Sequence, residues 1–206
     1  MKILVLRFSS IGDIVLTSPV LRCLKQQVKG AEVHVATKRA FADLVAHSPH
    51  VDKVHALDDD IGALARSLKA EGFDHIVDLH HNLRTARIKR VLGVPATSFA
   101  KLNIEKWLLV NLRMDRLPRI HIVDRYMDTV KHLCVSNDNK GLELFIPKNR
   151  EVDLNTLPET HRSGYVALAI GAAHATKRLP PFKLIELAQR IEGPIVLIGG
   201  PDDQEV

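Results

Sequence analysis

The sequence predicts an α/β protein built around a parallel sheet, and three observations predict it. Short apolar runs of strand length alternate with segments of helical periodicity. One helix separates each strand from the next, and at least four such units follow in order, the pattern of βαβ units. The 206 residues are 46% hydrophobic and 26% charged, which is enough apolar matter for an ordinary core.

The first strand is 2–7 (KILVLR), followed by a helix over 14–28. A strand at 32–37 (EVHVAT) precedes a helix at 39–47, and a short strand at 54–57 precedes a helix at 61–71. Residues 73–79 (FDHIVDL) are a strand, 83–92 a helix and 95–99 a further strand. The chain then turns helical. The segment 102–117 places Ile104, Trp107, Leu108 and Leu112 on one stripe, and 122–133 is a second helix preceded by His121. Residues 136–140 (SNDNK) are turn chemistry, and the Pro-, Asn- and Gly-bearing stretch 147–164 reads as a linker. A second α/β pattern opens with a strand at 165–170 (YVALAI), a helix at 181–191 and a strand at 195–198 (IVLI). After Gly199-Gly200, the proline and acids of 201–205 are how a helix begins. Two strands and one helix are too few to hold a core. The expected organisation is therefore a first domain over 1–148, a linker over 149–163 and the opening of a second domain over 164–206.

Composition and charge narrow the class. Disorder, collagen-like repeats and disulfide-built miniproteins are excluded. No stretch approaches the roughly 18 uncharged residues of a membrane span, and the N-terminal apolar run is too short for a signal peptide before it meets Asp13. Cys23 and Cys134 lie in helical patterns without a CxxC spacing, so they read as core thiols in a reducing cytosol. The net charge of +5 is concentrated: from Arg84 to Lys131, eleven Lys/Arg face four Asp/Glu, a local +7 that leaves −2 elsewhere. Such a face suits an anionic partner (phosphate, acidic sugar, lipid headgroup or nucleic acid) or is simply a solvated surface.

The most informative loop is Ser9-Ser10-Ile11-Gly12-Asp13, between the first strand and the first helix. Ligands of open parallel sheets sit at the carboxyl ends of strands, where this loop lies. Gly12 permits close backbone approach, Ser9 and Ser10 offer hydroxyls, and Asp13 beside a helix N-terminus stays ionised and able to take a proton. Helix capping by Ser10 or Asp13 explains the same residues. There is no GxGxxG and no GxxxxGK[ST], which argues against a nucleotide-dependent oxidoreductase or a P-loop. The second loop, 171–181 (GAAHATKRLPP), carries small residues, the Thr176 hydroxyl and the cations Lys177 and Arg178 ahead of a helix, a candidate phosphate cradle or a loop with incidental cations.

Other features are read more plainly. Asp78-Leu79-His80-His81 is a polar active-site rim or a plain loop rather than a metal site, because adjacent histidines at a strand end diverge. Arg84, Arg87, Lys89 and Arg90 form a solvated helical face that begins at the ligand edge. Asp124 and Arg125 make an internal pair, and the Trp107 helix either packs on the sheet or lies on a membrane or amphiphilic substrate.

Together these motifs resemble glycosyltransferase family 9, the ADP-heptose:lipopolysaccharide heptosyltransferases. The likeness begins at MKILVLRFSSIGDIVLTSPVL and runs in order through DLHHNLR, HIVDRY, GAAHATKRLP and LIGGPDDQEV. It implies a GT-B architecture of two Rossmann-like domains, with the acceptor on the N-terminal domain and the nucleotide-sugar donor on the C-terminal one. It implies inverting transfer without a metal or other cofactor, the nucleotide sugar being a co-substrate. Asp13 would be the general base and Ser9, Ser10 and Gly12 would shape its loop. Thr176, Lys177 and Arg178 would hold the donor diphosphate, as lysine can in place of a metal. The implied acceptor is an anionic, phosphorylated, lipid-linked saccharide at the cytoplasmic face of the inner membrane. Arg7, Arg84, Arg87 and Arg125 are the residues expected to contact it, with no nucleic-acid partner. Arg7 stands where the family often has lysine, Leu179 where it often has tryptophan, and no D-x-G-x-x-H donor loop is present. Weak or no donor binding by this chain alone is the expectation that follows. The competing reading is a non-catalytic basic Rossmann-like module that binds anionic membrane or nucleic acid.

Overall fold

The computed structural model describes residues 1–172 and 174–203. The chain divides into two compact units, Met1–Pro147 and Lys148–Val206. The first is built on one parallel sheet of β1 (Lys2–Leu6), β2 (Glu32–Lys38), β3 (Lys53–Leu57), β4 (His75–Asp78) and β5 (Ala96–Ser98), ordered β3-β2-β1-β4-β5. Strand β1 is central, with Leu4 opposite both His34 and Ile76. Its side chains alternate between two buried layers. Ile3 and Val5 join Val33, Val35 and Val77 on one face, while Leu4 and Leu6 join Ala36, Leu57 and Ile76 on the other. Because both faces are covered, the strand reads as an unbroken apolar run.

Seven helices accompany the sheet among the described residues of this unit: α1 (Ile11–Val15), α2 (Ser18–Gln27), α3 (Asp43–Ala46), α4 (Ile61–Ala70), α5 (Leu83–Leu92), α6 (Asn103–Leu112) and α7 (Ile122–Met127). The face with Ile3 and Val5 is covered by α2, α7 and the 3-10 turn Asp128–Leu133, and the opposite face by α4 and α5. The sequence predicts one helix over 14–28, whereas the chain starts its helix at Ile11 and breaks it after Val15. Pro19 is the cause, since it has no N–H to donate and its ring clashes with the carbonyl four residues back.

Two further expectations are corrected. Helix α6 ends at Leu112 rather than 117 and buries none of its residues, so it does not pack on the sheet. The 3-10 turn Asp128–Leu133 already occupies the sheet face beside β4 and β5. Cys23 is a core thiol, but Cys134 is exposed, at the left-handed residue (φ +57°) that ends this same turn.

The second unit contains α8 (Glu159–Arg162), β6 (Val166–Ala169), α9 (Pro181–Arg190) and β7 (Ile195–Ile198), with β6 and β7 paired in parallel. The stretch 149–163, expected as a linker, carries α8 and the 3-10 turn Leu154–Thr156, where Asp153 accepts the Asn155 N–H, and it groups with this unit. The helix expected from 201 is a 3-10 turn over Pro201–Asp203, and residues 204–206 lie outside the described residues. Phe182, Ile185, Leu197 and Ile198 are exposed. Among the described residues, no helix is long and apolar enough to cross a membrane.

Candidate functional site

The chain leaves β1 with Arg7, whose N–H donates to the Ala36 carbonyl and whose side chain is buried. The guanidinium is fixed on three sides. Nη1 donates to the Leu79 carbonyl after β4, the group lies 5.8 Å from the Tyr126 ring centroid, and Nη2 is 2.6 Å from Asp13 Oδ2. Asp13 is the third residue of α1, so its carboxylate turns back over the helix start, where Oδ2 accepts the Ser10 N–H at 3.2 Å and the Ser10 hydroxyl at 3.1 Å. Capping and proton acceptance are therefore compatible. All three contacts fall on Oδ2, which leaves Oδ1 as the oxygen able to accept a proton.

Burial alone would raise the Asp13 pKa, but the Ser10 N–H and the Arg7 charge outweigh it and hold the carboxyl below its usual value. The expected helix-dipole contribution is small, because α1 is only five residues long.

Beside Asp13 a cavity of about 290 Å³ opens at the carboxyl ends of β1, β4 and β5. Arg7, His80, Phe99, Arg125 and Tyr126 form one part of its wall, and the entry to α6 supplies Lys101, Asn103 and Lys106. Arg125 is set by a hydrogen bond to the Ala100 carbonyl and lies over the Phe99 ring. His80 packs edge-on against Phe8, and burial with the nearby Arg7 charge lowers its pKa to about 4, so the ring is neutral at physiological pH. Fully buried Asp78 holds the turn that presents it, accepting the N–H groups of His80 and His81 while pairing with Lys89 at 2.8 Å.

The predicted residues separate into those at the cavity and those away from it. Arg7, Asp13 and Arg125 line it. Ser9, Ser10 and Gly12 form the adjoining loop, and a Cβ added at Gly12 would meet nothing within 4 Å, so packing does not require glycine there. Arg84 and Arg87 are exposed on α5 and are not among the lining residues; Arg87 lies against Gly62 and the Asp60 charge instead. Sequence reasoning missed Lys101, Asn103, Lys106 and Tyr126. The dense positive charge of 84–131 signalled Lys101 and Lys106, and Tyr126 lies within the HIVDRY segment, whereas nothing in the sequence marked Asn103.

In the second unit a cavity of about 400 Å³ opens at the carboxyl ends of β6 and β7, lined by Gly171, Ala172, Arg178, Gly199, Gly200 and Asp203. Arg178 Nε donates to the Ala172 carbonyl at 2.6 Å, and Nη2 is 3.5 Å from Asp203 Oδ1. The Asp203 carboxylate accepts the Gly200 N–H at 2.8 Å and lies so close to Gly171 that a Cβ there would be 1.9 Å from Oδ2. Thr176 and Lys177 are exposed on the 3-10 turn Ala175–Lys177 and are not among the lining residues. Lys177 ends that turn and Arg178 follows it, a short step before α9 begins at Pro181.

A family model described as glycosyltransferase family 9 (heptosyltransferase) matches residues 61–206, well over half of the sequence. The chain belongs to that family, although the matched span does not include Asp13. A lipopolysaccharide heptosyltransferase 1 from Campylobacter coli is 25% identical over 123 residues, which are 57% of this chain and 36% of that protein. The fold is that of a glycosyl transferase family 9 structure from Veillonella parvula (TM-score 0.76, 23% identity, 99% of this chain and 64% of that one). It also matches E. coli ADP-heptose LPS heptosyltransferase II (TM-score 0.70, 19% identity, 100% and 66%) and E. coli heptosyltransferase WaaC with ADP (0.71, 20%, 100% and 69%). The α/β fold is thus of the GT-B type seen in these glycosyltransferases. The chain spans about a third of the Campylobacter relative and about two thirds of each solved structure.

Proposed function

We propose that the chain carries the acceptor side of an inverting, metal-independent transfer of a sugar, ADP-heptose being the donor of choice. The sugar would pass to an anionic, lipid-linked saccharide of the lipopolysaccharide core. One observation carries the reading: Asp13 is held ionised, with its contacts among the described residues falling on Oδ2, beside a cavity walled by Arg7, Lys101, Lys106 and Arg125. Cations recruit an anionic acceptor, and a carboxylate among them is what removes a hydroxyl proton.

In this account the acceptor hydroxyl gives its proton to Asp13 Oδ1. Its oxygen forms the new bond to the anomeric carbon as the bond to the donor diphosphate breaks. The electron pair leaves with the diphosphate, whose charge Lys177 and Arg178 neutralise while the Thr176 hydroxyl donates to it, so no cofactor is needed. Ser9, Ser10 and Gly12 shape the loop. Arg125 is better supplied by position than Arg84 and Arg87 to meet the acceptor's phosphates, and Lys101 and Lys106 join it. The exposed Trp107 of α6, with Lys106 and Arg113 nearby in sequence, supports a peripheral contact with the cytoplasmic face of the inner membrane.

A purely binding module gives no role to a carboxylate kept ionised among cations. The test uses the full-length protein with ADP-heptose and a phosphorylated lipid-linked acceptor. The account expects ADP release only when acceptor is present, unchanged by a chelator. Salt-sensitive binding to anionic vesicles or DNA with no turnover of nucleotide sugar would favour the module instead.

A further inference from the structure

The clearest chemistry outside the site lies on the other face of the sheet, toward its amino edge. His34 on β2 and His55 on β3 are diagonal neighbours, since His34 is opposite Lys53 and Ala36 is opposite His55. Both rings are buried and both meet the edge of Phe73, at 5.2 and 6.1 Å between centroids. His34 Nε2 is 2.8 Å from the Glu32 carboxylate, so that nitrogen carries the proton and donates. Its Nδ1 is then a lone pair, 2.9 Å from His55 Nε2. Glu71, which ends α4, brings a carboxylate to the same point, and one donor atom from each of the three residues lies within 4.8 Å of the others.

We propose that His34 Nδ1, His55 Nε2 and the Glu71 carboxylate form a site for a divalent transition metal of the zinc class, with water completing the coordination. Two imidazoles and one carboxylate are a donor set that zinc favours, and tetrahedral bonds require donor atoms about 3.4 Å apart, so the two rings part by about half an ångström while the carboxylate closes in by roughly an ångström. Glu32 serves as the outer carboxylate that fixes the ligand tautomer of His34.

Beyond those adjustments, binding asks for a tautomer change and the release of a salt bridge. His55 moves its proton to Nδ1, which releases no proton because burial keeps this ring neutral, with a pKa near 4. Lys53, whose side chain is more than half exposed, leaves Glu71 Oε1, while Lys2 stays 3.0 Å from Oε2. The ligands sit on the Leu4 face of the sheet, away from the carboxyl edge where the Asp13 cavity opens. The metal would therefore stabilise the fold without entering the transfer reaction, and the proposal is independent of the one above.

The experiment titrates metal-free full-length protein with zinc by calorimetry and with cobalt by absorption, near neutral pH. Wild type is expected to bind one metal per site, with tetrahedral cobalt bands. His55→Ala and Glu71→Gln should each weaken binding by about tenfold or more. Lys53→Met should tighten it severalfold, because it removes the cation that competes for Oε1. His132→Ala, at the other stacked histidine pair (4.6 Å from His75), should change nothing. Absence of metal binding by wild type overturns the proposal, as does binding that ignores Glu71→Gln or is not improved by Lys53→Met. Should His55→Ala fail to fold, those two variants decide the question.

Discussion

Arg7 Nη2 and Asp13 Oδ2 meet at 2.6 Å where β1 gives way to α1, and the contact ties a buried cation to a carboxylate that faces a cavity. Arg7 cannot follow solvent, because Leu79 and Tyr126 hold its other sides. The pair thus sets both the position and the charge of Asp13.

Arg7→Met should raise the Asp13 pKa, because it removes the charge that favours the ionised form. A base acts only when deprotonated, so activity is present above its pKa and lost below it. The acid limb of the pH–rate profile should move to higher pH, while the carboxyl stays ionised at neutral pH. An unmoved acid limb would show that Arg7 does not govern this carboxylate.

A second prediction concerns the strap 138–143 that closes over α2. Fully buried Arg22 reaches Asp138 at 2.6 and 2.7 Å, the Gly141 carbonyl at 3.0 Å and Glu143 at 3.0 Å. Asp138→Ala removes the bidentate partner and leaves that guanidinium only Gly141 and Glu143, which should cost about 3 kcal/mol of unfolding free energy by denaturant titration. Arg22 holds the Asp138 carboxyl well below the usual carboxylate range. The wild-type advantage is therefore complete above the unfolded value of about 4 and drains away as pH falls below it. The variant should lack that dependence.

Gly171→Ala tests the second unit. Its Cβ would fall 1.9 Å from Asp203 Oδ2, on a carboxylate engaged with the Gly200 N–H. The overlap should cost about 1–3 kcal/mol in thermal or chemical unfolding. Any nucleotide binding at that cavity should weaken in parallel.

Helix α6 makes the fourth. Ile104, Trp107 and Val110 recur at three-residue spacing and are 73%, 56% and 78% exposed, so an apolar stripe faces outward. The sequence has one tryptophan, at 107, which serves as the reporter. Vesicles rich in anionic lipid should shift its emission to the blue, with a salt dependence supplied by Lys106, Arg113 and Arg116. Neutral vesicles should shift it far less. Equal response to both would separate the stripe from the charge.

Much of this was legible in the residues. The strand runs of β1, β2 and β4 are unmistakable because they are buried on both faces, and Asp13 stands out because the end of a central parallel strand is where ligands sit. What failed depends on distant partners. Pro19 signalled a break in the first helix, yet the apolar periodicity on either side masked it. Arg87 and Lys101 look alike in sequence, and only the tertiary path puts Lys101 on the cavity and Arg87 against Gly62. Trp107 suggested a packed helix equally well until the 3-10 turn Asp128–Leu133 claimed the sheet. Asp203, read as a helix opener, closes on Gly171, a contact 32 residues away that no local pattern encodes.

The central claim is that Asp13 is the base, and the most direct measurement is turnover by the full-length Asp13→Asn enzyme with nucleotide sugar and lipid-linked acceptor. Asparagine keeps the shape at Ser10 and Arg7 but cannot take a proton. Turnover should fall by about 10²–10⁴-fold in kcat in a variant that remains folded, with a lower melting temperature because buried Arg7 loses its counter-charge. Turnover close to wild type in a folded variant would contradict it.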